Sequence, residues 1–279
     1  MQRETLSAFF VVAVLIGMSG PAEAVPVSYS GYHYPDGVPT GQTATAVFDF
    51  TESGQLKIIL TETTPIGNST LVGDVAILTS VGFRLPGSAV IASGGTVTIS
   101  LGSASEGFSI DCSSASGVQQ CGAGANVSAE WGATIGGEGE IVTGSGLFYD
   151  FVSTLQSAVT RFSGTNRDGS TQLGGPQGGL LLDSAARGGQ GVINSSVTIL
   201  LNLDADPSTS GNQGLTGGQQ SDFLNSVSSQ SLVKWGTSTS LGNDWRLNGN
   251  QVPEPGTLLL LGSGLISAAI IGRRFSKRG

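Results

Sequence analysis

The stretch TATAVFDFTESGQLKIILTET, residues 43–63, contains the pattern that decides the fold. Apolar and polar side chains alternate in residues 43–51, and the alternation returns in residues 55–63. A period of two places successive side chains on opposite faces of a β-strand. Glu52-Ser53-Gly54, between the two runs, has the composition of a hairpin loop. The stretch therefore predicts a β-hairpin, whose buried face would consist of Ala44, Ala46, Phe48, Phe50, Leu56, Ile58 and Leu60.

Other apolar runs predict further strands. Residues 75–83 form a nearly continuous apolar run, which suits a strand buried on both faces. The pair Gly94-Gly95 predicts a turn. An alternating strand is expected after that turn, and the clearest late strand follows near residue 200. The apolar positions of these two strands are Val97, Ile99 and Leu101, then Val197, Ile199, Leu201 and Leu203.

Two regions are less regular. Residues 151–162 fit either a strand or a short helix, because Phe151, Leu155 and Val159 satisfy both spacings. Residues 174–179 and 206–220 are rich in turn-forming residues and are predicted to be loops. Many short strands separated by Gly-rich turns, without a strand–helix alternation, predict an all-β fold. The expected architecture is a β-sandwich of jelly-roll or immunoglobulin-like kind.

The carboxyl end has a different composition. Val252-Pro253-Glu254-Pro255 precedes an apolar run over residues 256–272, and the basic residues Arg273, Arg274, Lys277 and Arg278 follow. As a helix, the 17 apolar residues would span roughly 25 Å, which is just enough to cross a bilayer. The prolines favour an extended chain before the helix. The basic end predicts a cytoplasmic carboxyl terminus.

This layout resembles the PEP-CTERM sorting tail of exported bacterial proteins, here residues 252–279. The resemblance implies that an exosortase, a membrane transpeptidase, recognises the Pro253-Glu254-Pro255 motif and cuts the chain. It also implies a precursor anchored in the inner membrane of a Gram-negative bacterium. The processed protein would then reach the cell surface or extracellular matrix, with exopolysaccharide as an expected partner. The alternative is a single-pass anchor that is never cut.

The amino end predicts export. Arg3 precedes an apolar stretch over residues 8–17, and Ala22 and Ala24 are small residues at the two positions that a signal peptidase requires. Residues 1–24 are therefore predicted to be a signal peptide that directs the chain to the Sec translocon, with Val25 as the first mature residue. A retained amino-terminal anchor is the alternative, but the apolar run is short for a membrane span.

Residues 25–251 remain as one predicted exported β domain. The targeting segments contain five of the 12 basic and three of the 20 acidic residues, which leaves seven basic and 17 acidic residues and a net charge of −10. Such a surface repels nucleic acid and anionic lipid. No nucleic-acid partner and no cofactor are expected.

Cys112 and Cys121 are the only cysteines in the chain. In an exported protein this local pair predicts one disulfide that closes a loop or hairpin, worth about 2–3 kcal/mol of stability. A zinc site is the weaker interpretation, because two thiols without a histidine cluster provide only half of a zinc shell.

The residues that could support catalysis are few. His33 is the sole histidine, so a Ser-His-Asp triad would depend on it alone. Glu138 and Glu140 could form the carboxylate pair of a glycoside hydrolase, but neighbouring acids on a Gly-rich segment are usually solvated. Asp204 and Asp206 are a weak candidate calcium site, the alternative being a strand end at which aspartate caps the following turn. The sequence therefore predicts a non-catalytic protein without a bound metal.

Two functions remain from the sequence. The favoured one is a non-catalytic surface or extracellular-matrix protein. The rival is a carbohydrate-binding module, or a weakly recognisable glycan hydrolase, on the same β scaffold. Its aromatic residues could stack on sugar rings, although they could equally form the core. These residues are Trp131, Trp235, Trp245, Tyr29, Tyr32 and Tyr34.

Overall fold

A computed structural model of the chain describes thirteen stretches of residues. They are 23–32, 39–65, 77–101, 104–106, 122–137, 140–141, 147–155, 159–162, 173, 179–181, 192–209, 213–236 and 250–251. Antiparallel strands dominate these residues, accompanied by one α-helix and one 3-10 turn, Ser128–Glu130. The prediction of an all-β fold is confirmed.

The first sheet has six strands in the order β14-β1-β2-β3-β12-β5. Every neighbouring pair is antiparallel. The strands are β1 (Val25–Tyr32), β2 (Pro39–Phe50), β3 (Leu56–Glu62), β5 (Val90–Ile99), β12 (Ser196–Asp204) and β14 (Asn250–Gln251). The strand predicted near residue 200 is confirmed as β12.

The predicted hairpin is confirmed as β2 and β3. Phe48 pairs with Ile58 across the two strands, and burial alternates along β3. The loop closes by a hydrogen bond of 2.9 Å from the Thr51 N–H to the Gln55 carbonyl. Gly54 in this loop has a φ of +79°, which glycine adopts without steric cost. The period-two pattern therefore predicted both the strands and the turn.

The second sheet has the order β10-β7-β9-β4-β13, and β8 pairs with β9. Its strands are β4 (Leu78–Phe83), β7 (Gly132–Ala133), β8 (Glu140–Ile141), β9 (Phe148–Ser153), β10 (Thr160–Arg161) and β13 (Ser231–Trp235). A separate pair joins β6 (Ala104–Glu106) to β11 (Val192–Asn194). Every residue of β4 is buried, which confirms the continuous apolar run as a strand over Leu78–Phe83.

One hydrophobic cluster takes side chains from both large sheets. Phe48 of β2 and Phe83 of β4 meet edge to face, with ring centroids 6.1 Å apart. The Phe223 ring lies 5.9 Å from each of them, also edge to face. These contacts connect β2, β4 and the helix that contains Phe223 through three buried rings.

Helix α1 (Gly217–Ser226) corrects the prediction that residues 206–220 are all loop. Thr216 and Gln219 form a capping box: the Gln219 N–H donates to Thr216 Oγ1, and the Thr216 N–H donates to Gln219 Oε1. Phe223 and Leu224 are the buried residues of the helix. The two glycines after Thr216 made this segment look like a loop, because glycine has a poor helix propensity. In the structure, capping and burial outweigh that propensity.

Strand β5 corrects the prediction of a turn at Gly94-Gly95. The strand continues through both glycines, and Gly95 pairs with Leu201 of β12. A Cβ atom on Gly95 would lie 2.7 Å from the Phe162 ring, so the glycine is required by close packing rather than by a turn. Leu101 follows the strand and is 93% exposed, so the buried alternation ends at Ile99.

The ambiguous region, residues 151–162, contains two strand segments among its described residues. Residues 151–153 end β9 and residues 160–161 form β10, while residues 156–158 lie outside the described residues. Phe151 and Leu155 are buried together with Tyr149 and Leu232 in a second, smaller cluster. The residues of the predicted membrane segment, 256–272, are also outside the described residues. None of the helices that the structure describes has the length and apolar character of a membrane span.

We expect Phe223→Ala to lower the free energy of unfolding by about 3–5 kcal/mol, because it removes the ring that contacts both Phe48 and Phe83. Denaturant unfolding followed by circular dichroism measures the change. Asp222→Asn is the matched control, since this neighbouring side chain is exposed on the same helix. An equal, small effect of both substitutions would show that the three rings do not hold the sheets and the helix together.

Candidate functional site

The carboxyl end of the domain lies beside its amino end. Strand β14 pairs antiparallel with β1, with Gln251 opposite Val27 and Asn250 opposite Ser28. Because the strands run in opposite directions, the chain leaves the sheet at Gln251 toward the end where β1 begins. That beginning is Val25, the predicted first mature residue, which pairs with Phe48. The positions before the sorting motif and after the predicted signal peptide therefore share one sheet edge.

A pocket of about 290 Å³ opens between the β4–β5 connection and β9. Such a volume lies near the lower limit of small-molecule sites, about 300 Å³. The most chemically distinctive residues of its lining are Arg84, Asp150 and Phe148. The Phe148 ring is 44% exposed, although most other large apolar side chains in the described residues are buried. The pocket thus combines a cation, a carboxyl group and an accessible aromatic ring.

Asp150 forms part of the pocket wall and is almost fully buried. Thr134 Oγ1 donates a hydrogen bond of 3.4 Å to Asp150 Oδ1, and the Leu85 N–H also donates to this carboxyl group. Desolvation outweighs these hydrogen bonds and raises the pKa of Asp150 to about 6. The carboxyl group therefore changes charge slightly below neutral pH.

Arg84 supplies the positive charge of the pocket. The residue is half-buried, and its backbone N–H donates a hydrogen bond of 3.1 Å to the Gln230 carbonyl. Burial raises the pKa of the nearby Tyr149 hydroxyl, and the positive charge of Arg84 offsets part of this rise. A guanidinium carries five N–H donors, so Arg84 brings hydrogen-bond donors as well as charge to the pocket lining.

The sequence singled out the carboxylates of Glu138 and Glu140, but not that of Asp150. Glu140 begins β8 and pairs with Tyr149, the residue before Asp150. Glu138 lies outside the described residues, although Gly137, directly before it, lines the pocket. In the sequence, an aspartate between two aromatic residues, Tyr149-Asp150-Phe151, was the signal that could have indicated this site. An acid in such a strand needs polar partners if it is buried.

Glu62 is a second buried acid that the sequence analysis missed. Trp235 Nε1 donates a hydrogen bond of 2.7 Å to Glu62 Oε2, which links β3 of the first sheet to β13 of the second. The backbone N–H and the hydroxyl of Thr64 both donate to Glu62 Oε1. Burial nevertheless raises the pKa of Glu62 to about 7.

The aromatic residues considered for sugar stacking belong to the core where they are described. Trp131, Trp235 and Tyr29 are buried, and the Tyr29 hydroxyl lies 2.7 Å from Ser231 Oγ. The side chain of Tyr32 is not described, and Tyr34 and Trp245 lie outside the described residues. The exposed ring beside a pocket is Phe148 instead.

Asp204 and Asp206, the weak calcium candidate, make the hydrogen bonds of a strand end and a turn. Asp204 Oδ1 accepts from the N–H groups of Asp206 and Gln213, at 3.2 and 3.3 Å. Asp206 Oδ1 accepts from the N–H and the hydroxyl of Ser208, which lowers the pKa of Asp206. In the described part of the chain, no group of three or more His, Cys, Asp or Glu residues could hold a metal ion.

Most of the remaining residues that the sequence analysis named lie outside the described residues. Ala24 is described and directly precedes β1. The others lie outside the described residues: His33, Cys112, Cys121, Ala22, the motif Val252, Pro253, Glu254 and Pro255, and the basic residues Arg273, Arg274, Lys277 and Arg278. The disulfide between the cysteines and the signal-peptide cleavage stay predictions.

Comparison with known protein families identifies the type of the carboxyl-terminal tail. Residues 251–277 match the family model described as the PEP-CTERM protein-sorting motif. The match confirms the resemblance seen in the sequence and begins at Gln251, in the strand that pairs with β1. Searches among curated proteins and among solved structures found no match. The motif indicates an exported, membrane-anchored precursor that is sorted to the cell surface through an exosortase.

We expect Glu62→Gln to change the pH dependence of folding. The protonated carboxyl contributes stability that is fully present below its ordinary pKa of 4.5 and is lost as pH rises through about 7. Glutamine does not titrate, so the variant lacks this loss. Between pH 4.5 and 8, the free energy of unfolding of the wild type should fall by about 3 kcal/mol relative to that of the variant.

Urea unfolding at several pH values measures this difference. Glutamine leaves one donor of Thr64 or Trp235 without an acceptor, so a constant offset is also expected, and the slope with pH is the informative quantity. Glu52→Gln is the control, because Glu52 is exposed in the β2–β3 loop. A difference that stays flat across the range would contradict the raised pKa of Glu62.

Proposed function

We propose that this protein is a non-catalytic surface or extracellular-matrix component, consisting of one exported β domain that its carboxyl-terminal tail delivers. The observation that carries the proposal is the PEP-CTERM sorting motif over residues 251–277. An exosortase is the processing partner that the motif implies. A signal peptidase and the Sec translocon would act earlier on residues 1–24, and Gram-negative bacteria have the matching envelope.

The arrangement of the sheets supports a β-sandwich as the displayed domain. Buried residues of β2, β3 and β12 share one cluster with residues of β4, β9 and β13, as two stacked sheets would. The meeting of Phe48 with Phe83 supports the same arrangement. Two stacked sheets bury their apolar faces against each other and so form one hydrophobic core.

The shared edge of β1 and β14 supports delivery from a membrane. Both ends of the domain, Val25 and Gln251, lie at one end of this edge. In the precursor, the signal peptide and the proposed membrane helix over residues 256–272 would therefore leave the domain on the same side. An extended Val252-Pro253-Glu254-Pro255 segment would then lie between the folded sheet and the membrane, within reach of a membrane enzyme.

Changes in the tail should stop processing. We expect Glu254→Ala, or deletion of residues 273–278, to leave an uncut precursor in the membrane fraction, because each removes one part of the recognised tail. Cell fractionation and gel mobility of the exported protein measure the outcome. Glu52→Gln, which changes the same charge in an exposed loop, should be processed normally. Normal processing of both tail variants would refute sorting through this motif.

A second candidate function, glycan recognition or hydrolysis, is favoured by the pocket. Arg84 and Asp150 offer donors and acceptors for hydroxyl groups, and Phe148 offers an apolar surface beside them. Glu140, opposite Tyr149 on the neighbouring strand, would have to contribute a second carboxyl group for hydrolysis. Binding requires only the residues that line the pocket, so a carbohydrate-binding module is the better-supported form of this candidate.

Hydrolysis separates an enzyme from a binding protein. We expect the full-length chain to release no reducing ends from a panel of polysaccharides, because no second carboxyl group lines the described pocket beside Asp150. A reducing-end assay measures the release. Activity that Glu138→Gln or Glu140→Gln abolishes, while Glu52→Gln retains it, would overturn the non-catalytic proposal.

A further inference from the structure

We infer that the pocket lined by Arg84, Phe148 and Asp150 binds an acidic sugar, namely a uronate residue of a polysaccharide. The inference rests on the second candidate function, glycan recognition, and names its ligand. It requires no catalysis and is independent of how the tail is processed.

The cation of the pocket selects for an anionic ligand. Arg84 lines the pocket and is half-buried, and a partly desolvated charge is stabilised by pairing with an opposite charge. A guanidinium presents its donors in a planar fork that matches the two oxygens of a carboxylate. A sugar carboxylate would supply such a partner.

The aromatic ring selects for a sugar rather than a small anion. Phe148 lines the pocket and is 44% exposed, whereas Phe48, Phe83 and Phe151 are fully buried. An exposed ring at the edge of a pocket is a usual binding element, and the C–H face of a sugar ring is a suitable apolar partner. Simple anions such as acetate or phosphate would gain nothing from Phe148.

The size and the remaining polar groups fit one sugar ring. The pocket volume of about 290 Å³ is small for an extended ligand. Asp150 is held in the wall by Thr134 and Leu85, and its carboxyl group can accept hydrogen bonds from hydroxyl groups. Burial raises the pKa of Asp150 to about 6, so its repulsion of a uronate weakens as pH falls through about 6. The remaining sugar units of the polysaccharide would lie outside the pocket.

Calorimetric titration of the full-length chain in detergent tests the inference. The probes are trigalacturonate, the neutral trisaccharide galactotriose, and sodium acetate. We expect saturable binding of trigalacturonate alone. Arg84→Gln should weaken it about tenfold or more, because a charge-assisted hydrogen bond contributes about 1.5–3 kcal/mol. Phe148→Ala should weaken it about tenfold as well, by removal of the stacking surface.

Matched control variants distinguish a loss of binding from a loss of the fold. Arg84→Lys retains the charge but not the planar fork, so its affinity should lie between those of wild type and Arg84→Gln. Lys57→Gln removes a cation from β3, outside the pocket lining, and should bind as wild type does. Thermal unfolding of each variant shows whether the fold is retained.

Each other outcome overturns the inference in a recognisable way. Binding of galactotriose but not of trigalacturonate would leave glycan recognition standing and remove the acidic ligand. Equal competition by acetate would show that the pocket selects only charge. Failure of both saccharides to bind would remove glycan recognition together with the inference. Unchanged affinity in folded Arg84→Gln would show that trigalacturonate binds elsewhere.

Discussion

The contact between Phe48 and Phe83 is the interaction on which the rest of the domain depends. It joins a strand of the first sheet to a strand of the second, and Phe223 places the helix against both rings. Without such a contact, each sheet would expose an apolar face to water, which costs far more than the turns and loops can recover. The hydrogen bond from Trp235 to Glu62 links β13 to β3 as well, but a buried acid also makes that link sensitive to pH.

The packing of the sheets determines where the functional features lie. The edge of the first sheet carries β1 and β14, and therefore both ends of the domain. The pocket lies on the second sheet, where the β4–β5 connection meets the beginning of β9. The edge proposed to face the membrane and the pocket proposed to bind a ligand therefore lie on different sheets. A domain that is anchored by one edge can present the other sheet to its surroundings, which suits a surface component with a binding role.

The sequence predicted what short-range patterns determine. The alternation around Phe48 identified β2, β3 and their turn, and the tail was recognised from its own residues. Helix α1 was missed because Gly217 and Gly218 resemble a loop, although Thr216 and Gln219 form a capping box that the sequence displays. The turn expected at Gly94-Gly95 was wrong because the glycine accommodates a distant ring, that of Phe162. Contacts of this kind depend on tertiary packing and leave no local pattern.

The pocket could not be predicted for the same reason. Arg84 and Asp150 lie far apart in the sequence, and no spacing relates them until β4 pairs with β9 and places Phe83 opposite Asp150. The carboxylate pair considered from the sequence was Glu138 and Glu140, which are close neighbours in the chain. Burial, rather than proximity in sequence, distinguishes Asp150 and Glu62 chemically, since desolvation raises the pKa of both.

The intact mass of the native exported protein tests the central claim most directly, that a folded β domain is delivered by a removable tail. The account predicts a product that begins at Val25 and lacks the basic residues from Arg273 to Arg278. A product that retains these residues at its carboxyl end, whatever its location in the cell, would contradict it.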